Sequence, residues 1–532
     1  MKSSTIKRLC VCLASAFVAT SATAVHRSPN GTGQVLLFPY YTVRNGYATL
    51  VSVTNTQANT KAIKIRFLEG MNGREVSNFN LFLAPNDTWT GAVVETADGA
   101  RITTNDNSCV TPSELFTEVR KVQGGQVFNE FFNFGYTGIR EDVPGLSSLD
   151  RTREGYFEMI EMGVIDATLS PTAAQLTGYI KPDVTTNASS NCAALDSFDG
   201  LAATLPPVRF PNTGATMMAP PRGGLKGRAS IISAATGANY SFSPTALDAW
   251  STQVAYAQAG SSVGALLIDA APATSMVTTP NGVVIAQWAN GRDAVSAALI
   301  RDSLMNEFVL DDATTSQTDW VITAPTRPFH TDPIYSPFTG NLVAPFARVK
   351  SSNGFSTCDG YSASATNREA QTGLSGIAGT LPPPPGGTAF GPSILCRTAN
   401  LMAFLGSKPQ GAFPGVITFT SVLGSPTLSP LKFYGLYEVV AVATSKPSAL
   451  TTPALRATQG RNGRVTMLFD QFEQKMTPLS ALSISLSGTQ TPIPGIHYGL
   501  PVIGLMLHNY QNTSVASRYG GVVEHAYSVR VE

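Results

Sequence analysis

Five histidines, one Gly-x-Ser-x-Gly run and a few spaced carboxylates are the residues of this chain whose types suggest chemistry. Gly260-Ser261-Ser262-Val263-Gly264 has the spacing of a nucleophile elbow, in which a strand delivers Ser262 to a sharp turn and a helix N-terminus stabilises an oxyanion. Thr252 to Ala259 reads as that strand. Pro272 cuts the following helix short, and the alternation of strands and helices that builds such a fold is missing, so the plain Gly/Ser loop is the better reading. His330, inside Pro328 to Asp332, is the one internal candidate for a base, and no nucleophile stands beside it in sequence.

His497, His508 and His525 crowd the C-terminal end, an arrangement that invites a metal, while His26 sits far away near the N-terminus. Their spacings of 11 and 17 residues match no His-x-His or HExxH signature, and Glu524 is the one obvious acidic neighbour. Three separate histidines in strands and turns are therefore expected, with no metal and no cofactor. A glycosidase holds two carboxyls about 5 to 9 Å apart across a sugar. Glu158 and Glu161 lie in Tyr156 to Ile165, which reads as a strand, and residues three apart leave a strand on opposite faces. They cannot share a substrate. Asp311, Asp312 and Asp319 resemble a calcium loop in composition but lack its ordered spacing and central glycine. No P-loop, dinucleotide fingerprint or kinase set is present. The sequence assigns no catalytic and no cofactor-binding residue.

The elements that would position such residues are mostly strands. From Gln34 to Val94 five short apolar segments follow one another, broken by turn residues at 44–46, 55–59, 70–73 and 85–87. Ile63, Ile65 and Phe67 alternate with Lys64 and Arg66, and Phe79, Leu81 and Leu83 alternate in the same way with Asn78 and Asn80 on the opposite face. A period of two puts the apolar residues on one face of a sheet and the cations on the other. Five such strands suggest half of an immunoglobulin-like β-sandwich, a likeness of fold that carries no function.

Further along, Thr111-Pro112-Ser113-Glu114 has the parts of a helix start, as does Ser170-Pro171. The aromatic run Val127 to Tyr136 reads as core rather than as a binding platform. Asp293 to Phe308 has apolar residues at helical spacing; strands are expected at 229–235, 283–288, 320–323, 416–422, 433–442, 464–469, 483–487 and 501–508. Two related octapeptides, Gly200 to Pro207 and Gly376 to Pro383, precede Pro- and Gly-rich stretches and mark domain boundaries. The expected division is a signal peptide over 1–24, an N-terminal sandwich over 25–205, a middle β-rich domain over 206–345 and a C-terminal one over 346–532. The whole is mainly β, with a few short helices.

The N-terminus explains where such a chain would work. Lys2, Lys7 and Arg8 precede an apolar run from Leu9 to Thr20, and Ala22-Thr23-Ala24 fits the small-residue cleavage pattern, with cleavage between Ala24 and Val25. Export is the expectation. Outside the cytoplasm the four remaining cysteines should pair, and Cys109–Cys192 with Cys358–Cys396 keeps each bond within one sequence region. Sequons at Asn30, Asn86, Asn187, Asn239 and Asn512 matter only in a host that glycosylates. No apolar stretch is long enough for a transmembrane helix. Charged residues are 13% of the chain, against about 25% in an average soluble protein, and the 36 basic and 35 acidic residues nearly cancel. Such a surface has no long-range field to attract nucleic acid. These features describe an exported cell-surface or periplasmic protein with a structural, adhesive or binding role, partnered by itself or by a surface component. The alternatives are a secreted hydrolase with a site assembled from distant residues around His330 or Ser262, and a carbohydrate-binding module.

Overall fold

The computed structural model describes residues 24–116, 122–123, 126–127, 129–142, 145–181, 191–196, 198, 217–309, 316–335, 344–346, 359–367, 394–395, 397–404, 422–423, 437–440, 462–469, 474–511 and 518–532. The five strands read from Gln34 onward all form, as Val35–Thr42, Ala48–Asn55, Thr60–Glu69, Glu75–Leu83 and Thr88–Glu95. They do not make one half of a sandwich. The first, third and fourth enter one large sheet, whereas the second and fifth enter another that faces it. The turn at Arg44–Gly46, where Asn45 and Gly46 take positive φ, helps send the chain across, because Asn and Gly tolerate that conformation.

The large sheet has eight strands, ordered His26–Arg27, Thr245–Asp248, Val35–Thr42, Glu154–Ile165, Thr60–Glu69, Glu75–Leu83 and Cys109–Thr111, with Met218–Ala219 attached to Glu154–Ile165. The facing sheet has six: Ala238–Phe242, Leu225–Ser233, Ala48–Asn55, Thr88–Glu95 and Ala100–Thr103, with Thr32–Gly33 attached to Leu225–Ser233. Between them, Phe38, Ile63, Ile65, Phe67, Phe79 and Leu81 meet Val51, Val53, Trp89, Val93 and Ile231 in a single apolar core. A five-stranded sheet, Tyr437–Val440, Ala399–Phe404, Gln317–Thr323, Ile503–Gln511 and Arg518–Glu524, adds Val321, Leu401, Leu505 and Leu507 to that core. The chain is mainly β, with several antiparallel sheets and few helices. Eight and six facing strands exceed the roughly seven to nine of an immunoglobulin-type domain. Leu225–Ser233 and Thr245–Asp248 pair with strands from the first sixty residues, so hydrogen bonding runs across position 205.

Two helices start as their caps demand. Ser170 Oγ accepts from Ala173 N at 3.1 Å and Pro171 opens Pro171–Ile180, while Asn290 accepts from Asp293 N at 3.0 Å ahead of Gly291–Leu299. The second helix was expected to reach Phe308 and stops at Leu299. Beyond it Leu304, Asn306 and Phe308 are buried in alternation, a period of two, and Ser303–Val309 lies as a strand between Asn462–Leu468 and Ala526–Ser528. The helix expected after Thr111 is also absent from the described part. Thr111 instead ends a strand paired to Asn80, and Leu115 N returns to Pro112 O at 3.0 Å in a turn. The two octapeptides, the segment 416–421 and the sequons at Asn187 and Asn512 lie outside the described residues.

Candidate functional site

The charged residues of the central strands are not on a wet face. Lys61, Lys64 and Arg66 are all fully buried, so both sides of Thr60–Glu69 are covered. The cover is the segment that holds the Gly-x-Ser-x-Gly run. Lys64 Nζ donates to Gln258 O at 2.6 Å, Asn80 Nδ2 to Ala257 O at 3.0 Å, and Asn78 Oδ1 accepts from Gly260 N at 2.6 Å. A polar row on the strand pair thus meets the backbone of a loop that has no ladder of its own, as buried backbone groups require. Thr252 to Ala259 is consequently not a strand, and Ser262 is exposed on the far side of the loop with no elbow and no helix beneath it.

Buried ion pairs surround the same strand. Arg66 Nε donates to Glu75 Oε2 at 2.7 Å and its Nη1 to Glu158 Oε1 at 3.1 Å. Glu69 accepts from the backbone N–H of Met71, Asn72 and Arg74, at 2.8 to 3.0 Å, and so shapes the turn that joins two strands. Arg151 pairs with both Glu69 and Asp142, at 3.0 and 2.6 Å, with its guanidinium carbon 4.0 Å from the centre of the Tyr136 ring. Arg74 reaches Asp332 at 2.8 Å. Glu161 belongs to a different pair. It meets Lys61 at 2.7 Å and accepts from Arg222 N and Gly223 N. Glu158 and Glu161 therefore hold different cations, as their spacing in Glu154–Ile165 predicts. Burial raises the Glu158 carboxyl from 4.5 to about 7, and Arg66 only partly offsets it.

The structure does bring a serine to His330, though not the one the sequence offers. Ser296 Oγ lies 2.8 Å from His330 Nε2, joining Gly291–Leu299 to the short helix Arg327–Thr331. Nothing in the sequence marks this pair, because 34 residues separate its members and Ser296 sits inside a helix without a motif. Both residues are fully buried, and the charge acting on the imidazole is the Arg292 guanidinium. Burial first, and then Arg292, push the His330 pKa well below its ordinary value. A general base needs the opposite surroundings: a carboxylate partner and access to substrate.

The C-terminal histidines are separate. His497 is buried, 5.3 Å from the Trp288 ring, with Nδ1 on Gly495 O at 2.8 Å. His525 packs on Trp320 and places its two nitrogens 3.1 Å from Asn306 Nδ2 and from Val321 O. Burial lowers both pKa values to about 4. His508 is on Ile503–Gln511, beside Tyr510. Among the described residues no three His, Cys, Asp or Glu are grouped to hold a metal. Asp319 is buried and accepts from Leu423 N, while Asp311 and Asp312 lie outside the described residues.

Cys109 and Cys192 form a disulfide, with Cα atoms 5.1 Å apart. Cys358 and Cys396 lie outside the described residues, although their neighbours Asp359 and Leu395 are paired antiparallel. The aromatic run is core in part: Phe131 and Tyr136 are buried, Phe132 is half-buried and Phe134 is exposed, while Phe128 lies outside the described residues. All four tryptophans are buried, so none is on the surface to stack on a sugar. Ala24 and Val25 are buried too, and Val25 N donates to Thr274 O at 2.8 Å.

An open concavity lies elsewhere. On the outer face of the six-stranded sheet an open groove of about 470 Å³ crosses four strands, lined by Leu50, Ser52, Thr90, Thr103, Arg228 and Ser230 among others. Hydroxyls, one guanidinium and one exposed leucine face it, and no His, Cys, Asp or Glu lines it. Compared with known proteins, the chain matches no family model, no curated protein and no solved structure.

Proposed function

We propose that this chain is an exported cell-surface or periplasmic β-rich protein that acts through binding or assembly and not through catalysis. One observation carries the reading. The open groove has polar contacts for a ligand but no acid, base or nucleophile stronger than a hydroxyl, and the Ser296–His330 and Arg66–Glu158 pairs are buried away from it. Export rests on the N-terminal pattern and is supported by the Cys109–Cys192 bond, which belongs to oxidising compartments. The finer reading of an immunoglobulin-like N-terminal module is supported by two facing antiparallel sheets, enlarged by strands from later in the chain.

The secreted hydrolase is the second reading, and the Ser296–His330 contact is what favours it. Two experiments separate them. Protein recovered from cell fractions should begin at Val25 outside the cytoplasm; an intact Met1 in the cytosol refutes export. Purified protein should not hydrolyse activated esters or aryl glycosides above the buffer rate. Turnover that disappears in His330→Ala, with the variant still folded, would establish the hydrolase instead.

A further inference from the structure

Arg301 is a buried cation with no carboxylate in ion-pair contact among the described residues. Its side chain lies in the short strand Ile300–Arg301, which pairs with Leu500–Pro501, and the residue is 3% exposed. Among the described residues its side chain makes one hydrogen bond, from Nη1 to the neighbouring Ile300 O, at 2.6 Å. The Tyr527 ring covers the guanidinium at 3.9 Å, and Arg27 approaches the same ring at 4.9 Å. Two like charges therefore share one aromatic partner. Arg27 has Glu524 at 3.2 Å, and Arg301 has no ion pair among the described residues. Burial and the Arg27 charge pull the Arg301 pKa down to about 9.

Both guanidiniums line one small cavity of about 20 Å³, together with Ser243, Thr245, His525 and Tyr527. The charge of its lining residues does not balance: Arg27 and Arg301 face Glu524. His525 adds none, since Nε2 must donate to Val321 O, Nδ1 accepts from Asn306 Nδ2, and the ring is neutral. Asp302 follows Arg301 in the chain and its charge acts on the guanidinium, but it makes no ion pair with it, accepts from Ser528 Oγ at 2.6 Å and does not line the cavity. Leaving a buried charge unpaired is strongly unfavourable, and an anion placed beside it removes the penalty.

We propose that this cavity binds a small monovalent anion of the halide class, held by the Arg301 guanidinium with Arg27 as its second cation. The excess of one positive charge on the cavity wall sets the valence. The volume sets the size, because about 20 Å³ admits a species near the size of one water and excludes a sugar or an intact phosphate. The hydroxyls of Ser243 and Thr245 are the neutral donors that would complete its shell.

The test uses the full chain at constant ionic strength, with sodium gluconate replaced stepwise by sodium chloride or bromide. Chloride and bromide should raise the melting temperature along a saturating curve that gluconate does not reproduce. Broadening of the ³⁵Cl resonance by the protein, reversed by bromide, reads the same site directly. Arg301→Met should abolish both effects. Arg27→Gln, at a more exposed position that does not threaten folding, should weaken chloride binding about tenfold. Absence of a chloride-specific effect in the wild type would overturn the proposal, as would an undiminished effect in Arg27→Gln and Arg301→Met.

Discussion

Replacing Glu158 by Gln tests whether the buried charges of the large sheet stabilise the fold or burden it. Glu158 is buried against Arg66, with Glu75 on the other side of the same guanidinium and Asp269 adding a further negative field. Removing one carboxylate leaves Arg66 paired with Glu75. Burial moves the Glu158 carboxyl from 4.5 to about 7. Each tenfold change in the ionisation equilibrium is worth about 1.4 kcal/mol, so ionising Glu158 in the folded state costs about 3 kcal/mol. The sign follows from the direction of the shift. Because the folded pKa is raised, the stabilising term is fully present below pH 4.5 and is lost as pH rises through about 7. Glu158→Gln cannot ionise and escapes that loss. Denaturant unfolding of both proteins from pH 4 to 8, with the disulfide intact, should show matching midpoints at pH 4. The variant should then draw ahead between pH 4.5 and 7, reaching an advantage of about 3 kcal/mol at unchanged slope. A variant that is less stable than the wild type at pH 8 would refute the argument, since the Arg66–Glu158 attraction would then exceed the desolvation of the carboxylate.

Breaking the Cys109–Cys192 bond with Cys192→Ser frees a loop of 83 residues, which the chain-entropy account values at about 4 to 5 kcal/mol; the loss should appear in the denaturant midpoint. Asp359 and Leu395 are paired antiparallel, and non-reducing peptide mapping should recover the Cys358 and Cys396 peptides joined. Finding Cys358 linked to Cys109 or Cys192 would contradict both pairings. Ser296→Ala removes the partner of a fully buried imidazole nitrogen and should destabilise by about 1 to 3 kcal/mol. A substitution without effect on stability would show that the contact is not maintained in solution.

Much of the local structure was legible because it follows from neighbours in sequence. Strand positions come from a period of two, and Ile63, Ile65 and Phe67 face the shared core as their alternation implies. Ser170 caps its helix through a bond three residues away, and the opposite faces of Glu158 and Glu161 follow from strand geometry alone. Where two local signals competed, the sequence misled. Residues 293–308 carry a helical spacing throughout and a strand alternation in their second half, and pairing with Asn462–Leu468 and Ala526–Ser528 decided between them.

What the sequence determined by itself was the class of the protein: mainly β, poor in charge, with a leader-like N-terminus and no catalytic motif. What covers each face was settled only by the tertiary structure. Lys64 and Arg66 look like solvent-facing residues in the strand pattern, and they are buried because a loop some 190 residues later supplies a carbonyl to one, while Glu75 and Glu158 neutralise the other. Ser296 meets His330, and Arg27 meets Arg301 over Tyr527, through the same kind of distant approach. The physical reason is the range of the forces. Backbone sterics and side-chain alternation act over a few residues and are written in the local order. Desolvation and charge pairing depend on which distant segment arrives, and that is set by how the sheets pack.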